Sequence, residues 1–168
     1  YLQAGDPTNR YFTNPSWAPD EKTIYLIEMP RTQDKAELVA YDVQTGARKD
    51  VLYTETNEKY VHPVHGITFL PWDNSKFIYQ SEKDGYNHLY LFDTNGRQIK
   101  QLTQGNWVVL NLAGFNTKTK SVIIKSTESS PIRHNYYSVN IETGKRTLLD
   151  NGVGVHNATL SPDGQYLI

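Results

Sequence analysis

One short grammar occurs three times in this chain. Leu38 to Gly46 (LVAYDVQTG), Leu89 to Gly96 (LYLFDTNG) and Tyr137 to Gly144 (YSVNIETG) each run as an alternating apolar strand, an acidic or amide residue, then Thr-Gly or Asn-Gly, and a second short strand follows. The closing glycines stand 50 and then 48 residues apart. A repeat of that period is a signature of stacked β units that bury their faces against neighbours, rather than of one closed sandwich.

Upstream of each hairpin lies another pair of short strands. Pro15 to Asp20 with Thr23 to Glu28, Ile67 to Asp73 with Lys76 to Gln80, and Leu112 to Phe115 with Ser121 to Lys125 supply them. Outer strands follow at Lys49 to Thr54, Gln98 to Thr103 and Arg146 to Leu149. Four short strands per repeat match the blade of a β-propeller. The expected fold is therefore all-β, a partial β-propeller of three four-stranded antiparallel blades at about 12–55, 65–104 and 108–150. A fourth unit starts at 156–168, where Ser161-Pro162-Asp163-Gly164 is followed by only Tyr166, Leu167 and Ile168. Propellers are ordinarily closed rings, so the sequence is expected to be one fragment of a longer propeller domain. Its exposed blade edges make a homodimer or aggregation an expected outcome. One local conflict is RTQDKAELVA at 31–40, whose composition suits a short helix; the repeat overrides it and predicts a loop over Met29 to Lys35.

The chain of 168 residues carries 17 Lys plus Arg against 18 Asp plus Glu. Nucleic acid is thereby excluded as the main partner, since phosphate binding needs a clustered basic face. Cysteine is absent, which removes disulfides, zinc thiolates and thiol nucleophiles together. No apolar run approaches a membrane span, and the first ten residues lack the charged start and apolar centre of a signal peptide. No cofactor is implied by any motif.

Between the apolar runs at Lys76 to Gln80 and Leu89 to Phe92 lies SEKDGYNHLY, Ser81 to Tyr90. Its centre, Glu82-Lys83-Asp84-Gly85, is turn chemistry, because Gly tolerates positive φ and Asp bonds its own backbone. This decapeptide, followed by Ile99 to Trp107 (IKQLTQGNW), resembles the propeller of the dipeptidyl peptidase IV family of serine peptidases. Trp17-Ala18-Pro19-Asp20, Arg31-Thr32-Gln33 and Val155-His156 leading to Leu160-Ser161-Pro162-Asp163-Gly164 follow the same family order. The resemblance runs from Asn14 to Ile168. Ser81, Asp84, Gly85, His88, Tyr90 and Trp107 carry its structural motif.

The resemblance implies an eight-bladed propeller that caps an α/β-hydrolase domain and admits short peptides to a buried Ser-Asp-His triad. The full enzyme would release dipeptides from N-termini, usually after Pro or Ala. It would be an exported bacterial protein of the periplasm, cell envelope or exterior. None of that chemistry is in this chain, which lacks both a G-x-S-x-G elbow and the family's adjacent Glu-Glu pair. No catalytic residue is assigned, and the partners implied are the hydrolase domain and peptide substrates. The family's loop at Tyr60 to Val64 points to Val61 and His62 as substrate-lining candidates.

Other residues weigh toward structure. His62 and His65 have helical spacing for a metal, with His88, His134 or His156 to complete it, but Pro63 argues for extended chain, and no metal site is assigned. His88 is expected to bond Ser81 or Asp84 and pin the hairpin. Trp17, Trp72 and Trp107 are expected to pack between sheets. Asp20, Asp73 and Asp163 belong to turns, and Glu28, Glu55 and Glu82 are too scattered for an acid/base pair. Asn157-Ala158-Thr159 fits a glycosylation sequon. Two readings remain open: a noncatalytic segment of a dipeptidyl-peptidase-like enzyme, and a stand-alone propeller that binds a protein or glycan.

Overall fold

The computed structural model describes residues 1–168, with twelve strands and no helix. Strands β1 (Arg10–Trp17), β2 (Thr23–Pro30), β3 (Lys35–Asp42) and β4 (Arg48–Thr56) form the first sheet. The second holds β5 (Thr68–Leu70), β6 (Asp73–Ser81), β7 (His88–Asp93) and β8 (Gln98–Gln101). The third holds β9 (Val109–Asn116), β10 (Ser121–Ser126), β11 (Asn135–Asn140) and β12 (Arg146–Leu148). In each sheet the strands neighbour one another in chain order. A further hairpin opens at the end of the chain, where Thr159 N and Ile168 N each donate to the other's carbonyl at 2.6 and 3.0 Å. The fold is a partial all-β propeller of three antiparallel blades and the start of a fourth.

The chain divides into two compact units, Tyr1–Gly85 with Tyr90–Lys100 and Tyr86–Leu89 with Gln101–Ile168. In the first, β2 and β3 are buried on both faces, so their apolar residues run almost without a break. Alternation sends Tyr25, Ile27 and Met29, with Ala36, Leu38 and Ala40, into a core shared with Phe77, Tyr79, Tyr90 and Phe92. The opposite face sends Leu26, Val39 and Tyr41 into a smaller cluster with Ala4 and Ile24. Rings lock the larger core: Phe77 and Phe92 stack with centroids 5.8 Å apart, and Tyr53 meets Phe92 edge-on at 4.9 Å. In the second unit β10 and β11 bury Val122, Ile124 and Val139 completely.

Three expectations change. The loop expected over Met29 to Lys35 shrinks to 31–34, because Met29 and Pro30 still pair with Tyr11 and Arg10, and Lys35 pairs with Thr56. Trp17 is 57% exposed instead of packed between sheets. The inward position beside it is taken by the buried Ala18, and alternation turns the indole outward. The strands flanking SEKDGYNHLY extend to Ser81 and begin at His88, leaving 82–87 as the tip, where Gly85 N donates to the Glu82 carbonyl at 2.7 Å.

The repeated turns are built alike. Asp42 Oδ1 accepts from the Gln44 and Thr45 amides, Asp93 Oδ1 from the Asn95 and Arg97 amides, and Asn140 Oδ1 from the Glu142 and Thr143 amides. Gly96 and Gly144 both take positive φ, at 83° and 73°. They differ in surroundings: a Cβ on Gly96 would lie 1.9 Å from the Leu52 carbonyl oxygen, whereas one on Gly144 meets nothing within 4 Å. Gly144→Ala is therefore expected to cost only the left-handed backbone, about 1–2 kcal/mol. Gly96→Ala adds a backbone overlap and should cost clearly more. Urea unfolding of the two variants checks this, and equal losses would show that the Leu52 contact constrains nothing.

Candidate functional site

In the first unit the tip of SEKDGYNHLY is fastened by side chains from four strands, β4, β6, β7 and β8. Ser81 Oγ donates to Glu55 Oε2 at 2.8 Å and accepts from the Lys83 amide at 3.0 Å. Tyr90 OH donates to Asp84 Oδ2 at 2.7 Å. The Lys83 ammonium lies 4.1 Å from the Tyr90 ring centroid and 5.3 Å from that of Tyr53, and it donates to Tyr53 OH and Gln98 Oε1. Aromatic faces attract a cation electrostatically, and here they replace water around it. Desolvation correspondingly pulls the Lys83 ammonium below its usual range and raises the Glu55 carboxyl. Burial also lifts the Tyr53 phenol to about 12, with the Glu55 and Asp84 charges adding to it.

His88 and Trp107 belong to the second unit. His88 is buried, with Nδ1 3.1 Å from Thr103 Oγ1 and Nε2 2.9 Å from the Gly105 carbonyl. A carbonyl only accepts, so Nε2 carries the proton and the Thr103 hydroxyl donates to Nδ1. The same hydroxyl oxygen accepts from the Leu89 amide at 3.0 Å. Trp107 sits edge-on to the imidazole at 4.8 Å. These ring bonds differ from the expected Ser81 or Asp84: antiparallel pairing places Thr103 and Gly105 beside the start of β7, while the tip folds away toward β4.

The segment 57–65 borders two cavities of the first unit. Its backbone is tied down where Asn57 N and Val61 N donate to the Asp34 and Gln33 carbonyls at 3.0 and 2.7 Å. Asn14 Nδ2 holds the Pro63 carbonyl at 2.6 Å. Val61 is 4% exposed and part of the core, whereas His62 is exposed. His62 lines a cavity of about 310 Å³ with Glu55, Tyr60, Glu82 and Gly85, and another of about 670 Å³ with Arg10, Tyr11, Phe12 and Gln33. Both substrate-lining candidates border these two cavities, Val61 from within the core and His62 from its exposed side. No group of three or more His, Asp or Glu among the described residues is placed to hold a metal ion.

Sequence reasoning missed the most heavily paired carboxylate. Glu28, 2% exposed, accepts from Arg10 Nη1 at 3.0 Å, from Arg48 Nε at 3.0 Å and Nη2 at 3.3 Å, and from Tyr41 OH. Burial and this phenol-to-carboxylate bond raise Tyr41 to about 12. A buried carboxylate requires such compensation. The signal was present in alternation, since Glu28 shares a face with Ile24 and Leu26 and a charge there demands partners. This cluster stabilises the first sheet and presents no open position for chemistry.

The sequence profile of the dipeptidyl peptidase IV N-terminal region matches residues 1–168. Dipeptidyl peptidase 4 of Trichophyton equinum is 26% identical over 142 residues, 82% of this chain and 18% of its own length. A provisionally assigned dipeptidyl aminopeptidase IV of Bacteroides ovatus superposes on the whole chain with TM-score 0.91 and 47% identity, over 26% of its own length. Porphyromonas gingivalis dipeptidyl peptidase 4 superposes on 99% of the chain with TM-score 0.85 and 26% identity, over 23% of its length. The chain thus spans about a fifth to a quarter of these relatives.

Glu55 generates a pH prediction. Burial raises its folded carboxyl above the ordinary 4.5, so folding takes up a proton. The contribution is fully present below the unfolded value and lost as pH rises through the folded one. Glu55→Gln keeps an acceptor for Ser81 without a charge. The variant should therefore gain on the wild type as pH rises from 4.5 toward neutral, read as a shift in urea midpoint. An opposite trend would show that Lys83, not desolvation, governs this carboxyl.

Proposed function

The chain belongs to the dipeptidyl peptidase IV N-terminal region family, and from that premise we propose that it is the noncatalytic propeller segment of an exported bacterial serine dipeptidyl peptidase. Its work is to gate and position peptide substrates and to dock an α/β-hydrolase domain that supplies the nucleophile. The observation that carries this reading is the family match across every residue from Tyr1 to Ile168. The carboxylates at Glu28 and Glu55 are held by structural bonds, which agrees with a positioning role. His62 is the residue of this segment offered to a peptide, held by the buried Val61 and the bonded Pro63 carbonyl on either side.

The isolated chain should leave Xaa-Pro chromogenic dipeptides intact, and the longer protein that carries it should cleave them. In that protein His62→Ala is expected to raise KM about two- to tenfold, the span of one ordinary hydrogen bond, with kcat changed less. A longer protein with its triad intact yet inert toward every such substrate would sink the peptidase reading. An unchanged KM would remove His62 alone.

A further inference from the structure

Four residues other than glycine take a left-handed backbone: Asn14 at φ 53°, Glu21 at 58°, Gln33 at 58° and Lys120 at 53°. Glu21, Gln33 and Lys120 stand in the turns that join consecutive strands, where such a φ helps reverse the chain. Asn14 stands inside β1, where extended backbone is the rule. Two features of the sequence oppose its conformation. A Cβ disfavours the left-handed region, although Asn bears it better than most residues, and the Pro15 ring pushes the residue before it toward extended φ and ψ. The β1 to β2 register also breaks there, between Thr13 and Ser16. A conformation of this kind persists only where its surroundings over-determine it.

What surrounds Asn14 is the segment that carries His62. Asn14 Nδ2 donates to the Pro63 carbonyl at 2.6 Å, across 49 positions of sequence. Thr13 Oγ1 donates to Asn14 Oδ1 at 3.3 Å, which fixes the end of the amide that faces Pro63. Gly66 approaches so closely that a Cβ on it would lie 2.4 Å from Ser16 Oγ and 3.2 Å from the Asn14 carbonyl oxygen. On the other side of His62, the Gln33 carbonyl accepts from the Val61 amide at 2.7 Å. Both neighbours of His62 are therefore bonded, and each bond comes from a left-handed residue. Pairing of β1 with β2 runs through Arg10 to Thr13 and through Ser16 and Trp17, on either side of Asn14. Glycine would meet the backbone requirement at position 14 with less strain, so what the asparagine side chain adds is the bond to Pro63.

We propose that Asn14 is a positioning residue: its left-handed backbone aims an amide that fixes the Pro63 carbonyl, and with it the placement of His62 toward a peptide substrate. The inference rests on the function proposed above, in which His62 meets the peptide. Asn14 acts through the segment rather than on the substrate. Holding that segment in place beforehand lowers the ordering cost of binding, so loss of the amide is read in KM and hardly in kcat.

In the longer protein, Asn14→Gly keeps the left-handed backbone and removes the amide. It is expected to raise KM for an Xaa-Pro chromogenic dipeptide about two- to tenfold, the span of one hydrogen bond, with kcat changed less than about twofold. The urea midpoint should stay level or rise, because glycine relieves the backbone. Glu21→Gly relieves the same conformation away from the segment and should leave KM unchanged. In a His62→Ala background, Asn14→Gly should add less than about twofold, because both substitutions then remove one interaction. A lowered midpoint with KM unchanged assigns Asn14 to the sheet alone and overturns the proposal. So does any other unchanged KM in Asn14→Gly, or a full rise with His62 already replaced. A KM raised by His62→Ala but not by Asn14→Gly removes this inference and leaves the peptidase reading standing, whereas an unsubstituted longer protein that leaves the dipeptide intact removes that reading.

Discussion

The burial of central strands on both faces is the constraint from which the rest of this fold follows. A strand such as β2 places Tyr25, Ile27 and Met29 on one side and Ile24 and Leu26 on the other, so no single covering layer can satisfy it. At roughly 25 cal/mol per Å² of apolar area, leaving either face wet would cost several kcal/mol per strand, on the scale of the whole stability of a domain. Sheets of this kind persist only in stacks. The outermost strands escape the rule: β12 is exposed at all three of its residues, and β8 has no fully buried residue, with Gln98 and Ile99 exposed.

Stacking makes charge on the inner strands expensive, and the two buried glutamates show two answers. Glu28 is matched by two guanidiniums and a buried phenol, and its charge is neutralised by the guanidiniums, which are themselves about one-third exposed. Glu55 is met by the Ser81 hydroxyl, the Tyr79 phenol and a more distant ammonium, and burial dominates its titration. Removing a partner from the first arrangement leaves a buried charge uncompensated, whereas the second already tolerates partial loss of charge.

What was legible in the sequence is what local chemistry decides. Turns at 42–46, 93–96 and 140–144 announce themselves because Asp or Asn bonds amides two to four residues ahead, and Gly supplies positive φ. The four-strand unit follows from those turns and from alternation. Alternation put the Glu28 charge on a buried face, but its partners were not legible, because Arg10 and Arg48 lie 18 and 20 residues away and meet it only through register. His88 takes partners other than the expected Ser81 or Asp84, since Thr103 and Gly105 reach it across the β7 to β8 pairing. The repeat set the loop bounds over Met29 to Lys35 too wide, because Met29, Pro30 and Lys35 keep their strand pairing, and Trp17 was misjudged because alternation turns it outward.

SEKDGYNHLY joins these scales. Its sequence identifies a family, yet each of its distinctive side chains is used up in holding its own backbone: Ser81 by Glu55, Asp84 by Tyr90, Lys83 by two aromatic faces and His88 by Thr103 and Gly105. A motif can therefore be diagnostic of an enzyme family without touching its chemistry, provided the scaffold needs a fixed tip. The residues left free are plainer ones, His62 beside its two cavities and the exposed Ile132. His62 was reached through the family's loop and Ile132 by no sequence signal at all, because a side chain available for a partner is one that its own fold has not already recruited.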